Sequence, residues 1–411
     1  MNRVLKRTGL LFFMVAFLFN TAGFTCSFAA GGAPAYDKSY YERFKGQDVS
    51  INVYNWGEYV SDGEDGLMDV NAEFEKLTGI KVNYLNYETN EGMYAKLISG
   101  ANSYDVIFPS DYMVSRLIEE KLIQPLNFDN IPNFKYIGES FRNPGYDPGS
   151  RYSVAYTWNR VAVIYNKKII GHEVKSLDEL WNPAYAGSIL MFKNSRDAYA
   201  IALERLGYDI NTKNRKEIQE ATELLKEQKP LVQAYVMDQI FDKMQGNEAI
   251  IAPYYVGDYF IMKKVNPDLA MYVPDVTNIF VDAACIPADA KNKEAAEMYI
   301  NFLNEPQVAA DNMEYICYST PNDAARALLD EEVQENSYLY PPDEEIANDI
   351  FFVNLDQDTN LLLDQLWTDV LSEDAGYLSW VMPLFVAVSV FIILFNGFRK
   401  RRKRRQQELS K

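Results

Sequence analysis

Aromatic rings and carboxylates recur together in this chain, just beyond runs that alternate like β-strands. Val53-Tyr54-Asn55-Trp56-Gly57-Glu58-Tyr59 leaves one such run and turns at Gly57. Phe108-Pro109-Ser110-Asp111-Tyr112 follows Tyr104-Asp105-Val106-Ile107, and Phe280-Val281-Asp282 lies within a third apolar run. Open α/β sheets bind ligands outside the carboxyl ends of their strands. Ring faces and anionic acceptors gathered there suit an organic cation. Asp282 is the sharpest of these signals, because an acid inside an apolar strand needs a partner. Glu58 and Asp111 read instead as helix caps or solvated groups.

Residues that would support catalysis are sparse. The one histidine, His172, stands in Gly171-His172-Glu173-Val174, which reads as a surface turn. That excludes a His-rich zinc site and leaves a Ser-His-Asp triad dependent on a single residue. There is neither a P-loop nor a Gly-x-Gly-x-x-Gly after a strand. Cys317, in Tyr315-Ile316-Cys317-Tyr318, is the one nucleophile to weigh, yet no base or cation stands near it in sequence. With Cys285 it reads as a buried thiol. No metal or cofactor is expected.

The elements that must position the rings and acids alternate strand with helix. Ile51 and Val53 begin a strand. Leu67, Val70, Phe74 and Leu77 follow at helical spacing, and Gly79 ends that helix. Ile80–Leu85 alternates cleanly; Met93, Leu97 and Ile98 mark a second helix closed by Gly100; Tyr104–Phe108 is a third strand. This βαβαβ order implies a parallel sheet. A second series starts at Arg160–Tyr165, with strands at Ser188–Met191 and Ala249–Ala252 and later helices at Lys293–Leu303 and Asp323–Leu329.

Both ends of the 411-residue chain carry targeting signals. Arg3, Lys6 and Arg7 precede the short apolar run Leu10–Phe19, and Ser27-Phe28-Ala29 offers the small residues of a cleavage site, so 1–30 reads as a signal peptide. Cys26 leaves lipidation as an alternative reading. Leu378–Phe398 is 21 residues without a charge, enough to span a bilayer, and Arg399–Arg405 follows as a cytoplasmic stop signal. The segment between them is therefore expected outside the cell, anchored by its C-terminal helix. The chain's net charge is −18; with three basic residues in the leader and eight basic residues and one acid in the tail, the segment between carries 29 basic against 57 acidic residues, and so acidic a surface repels nucleic acid.

The chain from about Ser50 to about Leu371 closely resembles the bacterial spermidine/putrescine-binding proteins, the solute receptors of polyamine ABC importers. The resemblance is densest in Tyr54–Tyr59, in Tyr87-Glu88-Thr89-Asn90-Glu91-Gly92-Met93-Tyr94-Ala95-Lys96-Leu97 and in Tyr104–Ser110. Leu206-Gly207-Tyr208, Ile286–Asn292 and Ser319-Thr320-Pro321-Asn322 add family-like phrases. It implies an α/β two-lobed clamp, each lobe a mainly parallel sheet flanked by helices. After a spacer at 31–49, lobe 1 would comprise 50–157 and 283–326, and lobe 2 158–282 and 327–372. The anchor at 378–398 and the cytoplasmic tail at 399–411 would follow.

By the same resemblance the ligand site comprises Trp56 and Tyr59 against the polyamine chain, with Ser110 and Tyr112 from the next loop. Asn194 and Asp197 fall where acids receive an ammonium, and Asn194 departs from a common carboxylate. Tyr255 replaces a frequent tryptophan, while Asp258 matches an acid of the putrescine-preferring branch and could also be a helix N-cap. Phe280, Asp282 and Tyr318 complete the set. The implied function is a non-catalytic, monomeric receptor whose partners are the polyamine and the permease and ATPase of an importer. The alternatives are a receptor for another small organic cation and an enzyme on the clamp fold using Cys317.

Overall fold

The computed structural model describes residues 36–100 and 103–372. The expected leader, the expected membrane span at 378–398 and the basic tail lie outside the described residues. Among the described residues no helix is long and apolar enough to cross a membrane.

Among the described residues nine strands form one sheet: β1 (Ser50–Trp56), β2 (Lys81–Tyr87), β3 (Val106–Ile107), β4 (Ser153–Asn166), β5 (Ile189–Phe192), β6 (Val232–Val236), β7 (Ile251–Tyr255), β8 (Leu269–Tyr272) and β9 (Ile279–Cys285). Their order is β2-β1-β3-β9-β4-β7-β5-β6, with β8 beside β4. β2 and β3 both run parallel to β1, joined through helices Val70–Thr78 and Asn90–Ser99. Asp69 and Thr89 cap those helices by accepting from the Ala72 and Gly92 N–H groups, and left-handed Gly79 and Gly100 end them. Ile98, assigned to an apolar helix face, is instead exposed, because that helix buries little beyond Asn90 and Met93.

The sheet is mixed rather than mainly parallel. β5 pairs in parallel with β6 and β7, but β4 and β9 run against their neighbours. β4 is the spine. Its Ser153–Arg160 half pairs with β9, and its Val161–Asn166 half pairs with β7 and β8. All fourteen of its residues are buried, which is why Ser153–Asn166 shows no inside–outside alternation.

Arg160 sits where β4 changes partners, and its guanidinium meets the Asp349 carboxylate at 2.6 Å with both side chains buried. Asp349 Oδ1 also accepts from the Thr277 N–H at 3.2 Å. Cutting one partner from a buried pair strands the other charge. Asp349→Ala is therefore expected to cost about 3 kcal/mol of stability, read as a lower midpoint in denaturant unfolding.

Residues 36–49 correct the expectation of a spacer. Lys38–Tyr41 is a helical turn whose Tyr41 is fully buried; its hydroxyl donates to Glu305 Oε1 at 2.6 Å and accepts from Asn301 at 2.7 Å. Tyr36 and Phe44 pack on the same core. Aromatic rings at this spacing bury too much apolar surface to remain a free linker.

Candidate ligand-binding cleft

β1, β3, β5, β6 and β7 all deliver their carboxyl ends to one cleft of about 690 Å3. β1 ends in Trp56 and turns through Gly57 to Tyr59. β3 leads to Ser110 and Tyr112. β5 leads to Asn194 and to Asp197 in the first turn of helix Ser195–Arg205. β7 ends in Tyr255 and starts helix Val256–Val265, which carries Asp258 in its first turn. β9 contributes Phe280 and Asp282 from within the strand, and Tyr318 follows helix Pro306–Ile316. All eleven residues named from the sequence line this one cleft.

Each of the three acids is buried and receives a neutral tyrosine hydroxyl. Tyr59 donates to Asp282 at 2.5 Å, Tyr318 to Asp258 at 2.7 Å and Tyr255 to Asp197 at 3.1 Å. The Asn194 amide also donates to Asp197. These donors hold the carboxylates in place without cancelling their charge. Asp282 Oδ1 and Asn194 Oδ1 are buried acceptors that no donor reaches among the described residues. Such atoms are costly unless a ligand supplies the missing donor.

Burial dominates their titration. It pushes Asp282 up to about 6, against the Tyr59 hydrogen bond and the neighbouring Ser110 hydroxyl, which lower it. It raises Asp197 to about 7 and Asp258 to about 8. The first-turn positions of Asp197 and Asp258 favour the charged form through the helix dipole, but that effect is smaller than desolvation here.

The rings form a connected wall. Tyr255 lies 5.0 Å from Phe280, and Tyr59 lies 5.7 Å from Tyr318 edge to face. Trp56 is fixed by its indole N–H, which donates to the Phe108 carbonyl at 2.9 Å. Two glycines permit close approach. A methyl on Gly257 would stand 2.0 Å from the Tyr318 ring, and one on Gly57 would stand 2.0 Å from Asp238 Oδ2. Glycine lets Tyr318 reach Asp258, and lets β1's turn meet the loop after β6 across the cleft. The Lys193–Glu88 ion pair spans the same gap.

Three sequence readings change. Asp111 is not a solvated group: it is 1% exposed, its Oδ1 accepts from the first-turn Tyr112 N–H of its own helix at 2.6 Å, and burial raises its carboxyl well above the usual range. Asp258 is not an N-cap, since Tyr255 holds that position and Asp258 points to Tyr318. Cys317 is only half-buried, in a left-handed conformation, and does not line the cleft although Ile316 and Tyr318 do. Cys285 is buried, and no disulfide joins the two cysteines. The exposed His172 pairs with Glu179 at 3.0 Å, away from the cleft.

Sequence reasoning missed Asp238, Tyr254, Asn278 and Phe352, which also line the cleft. Asp238 follows β6, so the strand-end rule that found Trp56 and Ser110 would have reached it once Val232–Val236 was read as a strand. Burial raises its pKa, and Glu58 and Glu88 add to the rise. Phe352 comes from an irregular segment that carries no such signal.

Residues 70–340 match the model of a family described as bacterial extracellular solute-binding protein. The chain belongs to that family. It is 38% identical over 302 residues to the spermidine/putrescine-binding periplasmic protein of Escherichia coli K12, covering 73% of this chain and 85% of the relative. The putrescine-binding periplasmic protein of Pseudomonas aeruginosa is 28% identical over 342 residues, covering 78% and 92%. Among solved structures, the spermidine/putrescine ABC transporter substrate-binding protein of Streptococcus pneumoniae superposes with a TM-score of 0.65 at 31% identity, covering 79% of this chain and 98% of that one. The two-lobed α/β fold is thus that of a solute-binding protein, and the family binds and transports rather than catalyses.

Proposed function

We propose that this solute-binding protein is a polyamine receptor that delivers spermidine or putrescine to an ABC importer. The observation that carries the reading is the set of three buried, tyrosine-held carboxylates among aromatic rings, with Asp282 Oδ1 left open. A polyamine is an apolar chain with an ammonium at each end, so it offers the donors these oxygens lack. Charged hydrogen bonds contribute roughly 1.5–3 kcal/mol each, and a ring face beneath a cation about 0.5–2. The E. coli relative is a spermidine/putrescine-binding protein and the P. aeruginosa relative a putrescine-binding protein, which favours the same ligand class.

In this reading lobe 1 is 50–157 with 283–326, lobe 2 is 158–282 with 327–372, and the ligand holds them closed for docking on the permease. The leader at 1–30 exports the chain, and the apolar segment 378–398 with its basic tail tethers it to the cell membrane. The eleven cleft residues are the ligand contacts.

Thermal unfolding of the full chain tests this. Ligand at about a thousand times its Kd stabilises the folded state by ~4 kcal/mol, so putrescine or spermidine should raise Tm by several degrees while a neutral sugar leaves it unchanged. Cys317→Ser should show the same rise. No rise with any polyamine rejects the reading, and a rise lost in Cys317→Ser would revive the thiol chemistry.

A further inference from the structure

Asp282 shares its face of β9 with a second open acceptor. Asn278 also lines the cleft and is 3% exposed. Its backbone is extended: it bridges Ile350 in parallel, the Ile279 N–H donates to the Ile350 carbonyl at 3.2 Å, and the Ile350 N–H donates to the Thr277 carbonyl at 2.9 Å. Alternation along an extended strand puts Asn278, Phe280 and Asp282 on one face. All three line the cleft, while Ile279 and Val281 between them pack into a separate core with Trp158 and Ala162.

The Asn278 amide is held one way round. Its Nδ2 donates to the Ile350 carbonyl at 3.0 Å and to the Ile279 carbonyl at 3.3 Å. Turned over, its oxygen would face both of those carbonyls, so Oδ1 is fixed on the other side of the group. That oxygen is buried and meets no donor among the described residues. The buried Arg196 guanidinium does not serve it. Arg196 lies over the Phe352 and Tyr112 rings at 4.6 and 4.9 Å, donates to the Val353 carbonyl and to Asn211, and does not line the cleft. A buried acceptor left in this state is costly unless a ligand brings the donor.

Asn278 and Asp282 stand about 13 Å apart along the strand, at a rise of ~3.3 Å per residue, with the Phe280 ring midway. An extended chain gains about 3.5 Å per three bonds, so putrescine spans about 6 Å between its nitrogens and spermidine about 11 Å between its terminal ones. A diamine held at Asp282 therefore ends over Phe280, whereas a triamine laid along the same face brings its far ammonium within hydrogen-bond reach of Asn278. We propose that Asn278 Oδ1 accepts from that far ammonium and sets a preference of the cleft for spermidine over putrescine. The assignment rests on the polyamine reading of the cleft and deepens it. The three acids supply the counter-charge, and Asn278 adds a fixed point that only the longer chain reaches.

Equilibrium dialysis of the full chain with labelled spermidine and labelled putrescine is the test. The wild type is expected to hold spermidine the more tightly. Asn278→Leu and Asn278→Asp both lose the Nδ2 donor to Ile350, and only the Asp variant keeps an acceptor. Asn278→Leu should weaken spermidine roughly tenfold and putrescine less than about threefold, while Asn278→Asp keeps the preference for spermidine. Equal losses of both ligands in both variants would overturn the assignment, since loss of the tie to Ile350 alone gives that pattern. So would spermidine affinity unchanged in Asn278→Leu, or a wild type that prefers putrescine. A wild type that binds neither ligand rejects the polyamine reading itself, and the assignment with it.

Discussion

Asp282→Ala should lose at least about thirtyfold in polyamine affinity, the largest effect expected of a single cleft substitution. The carboxylate is 3% exposed, opposite Thr157 on the fully buried spine β4, so nothing can relax toward water to replace it. Removing one partner of a buried charged hydrogen bond costs about 2–5 kcal/mol, much of it from the ammonium left unpaired. At 1.4 kcal/mol per decade that is roughly 30- to 3,000-fold in Kd. Glu58→Ala is the contrast. Glu58 lines the mouth but is exposed, and its hydrogen bond is to Tyr315 at 2.9 Å. Solvent screens such a charge, so less than about threefold is expected. Equilibrium dialysis with labelled putrescine measures both. Equal losses in the two variants would mean that long-range acidity, not the Asp282 contact, draws the cation.

Affinity should rise as pH climbs from about 6 to about 8, with protons released on binding. Asp282, Asp197 and Asp258 stand near 6, 7 and 8 in the empty protein, in each case chiefly through burial. A bound ammonium favours the charged carboxylates and lowers all three. Each proton released makes affinity rise by up to ~10-fold per pH unit across its window. The polyamine's own amines, with pKa values near the lysine value of about 10, stay protonated throughout. Stability of the empty protein runs the other way. Between about pH 4 and the raised values the folded chain holds protons that the unfolded chain has lost, so the contribution present at low pH disappears as pH rises toward 8. Calorimetry in buffers of different ionisation enthalpy reads the proton release directly. A flat affinity from pH 5.5 to 8, or proton uptake, would contradict the assigned acids.

Much of the cleft could be read from the chain because one rule places it: side chains just past parallel strands face the ligand. That rule reached Trp56, Tyr59, Ser110 and Tyr112, and the polarity of Asp282 within an apolar strand marked a further position, whereas Asn194, Asp197, Tyr255, Asp258 and Tyr318 came from the family resemblance. It failed at Asp238, since Val232–Val236 is short and only partly buried and so gave no strand signal. Asp111 was misread because its burial depends on the pairing of Ser110 with Asp282, far apart in the sequence. The antiparallel spine was hidden for a similar reason. A uniformly buried strand such as β4 shows its burial in its composition, but not the direction of its neighbours. The docked turn at Lys38–Tyr41 had an aromatic signal that was passed over as linker.

The central claim is that the cleft holds one polyamine between its carboxylates. Calorimetric titration of the full chain with putrescine, spermidine, spermine and a simple diamino acid tests it most directly. The account predicts tight one-to-one binding of at least one polyamine and little heat from the diamino acid, whose own carboxylate would face Asp197 or Asp282. Folded protein that gives no heat with any polyamine, or that prefers the diamino acid, would contradict it.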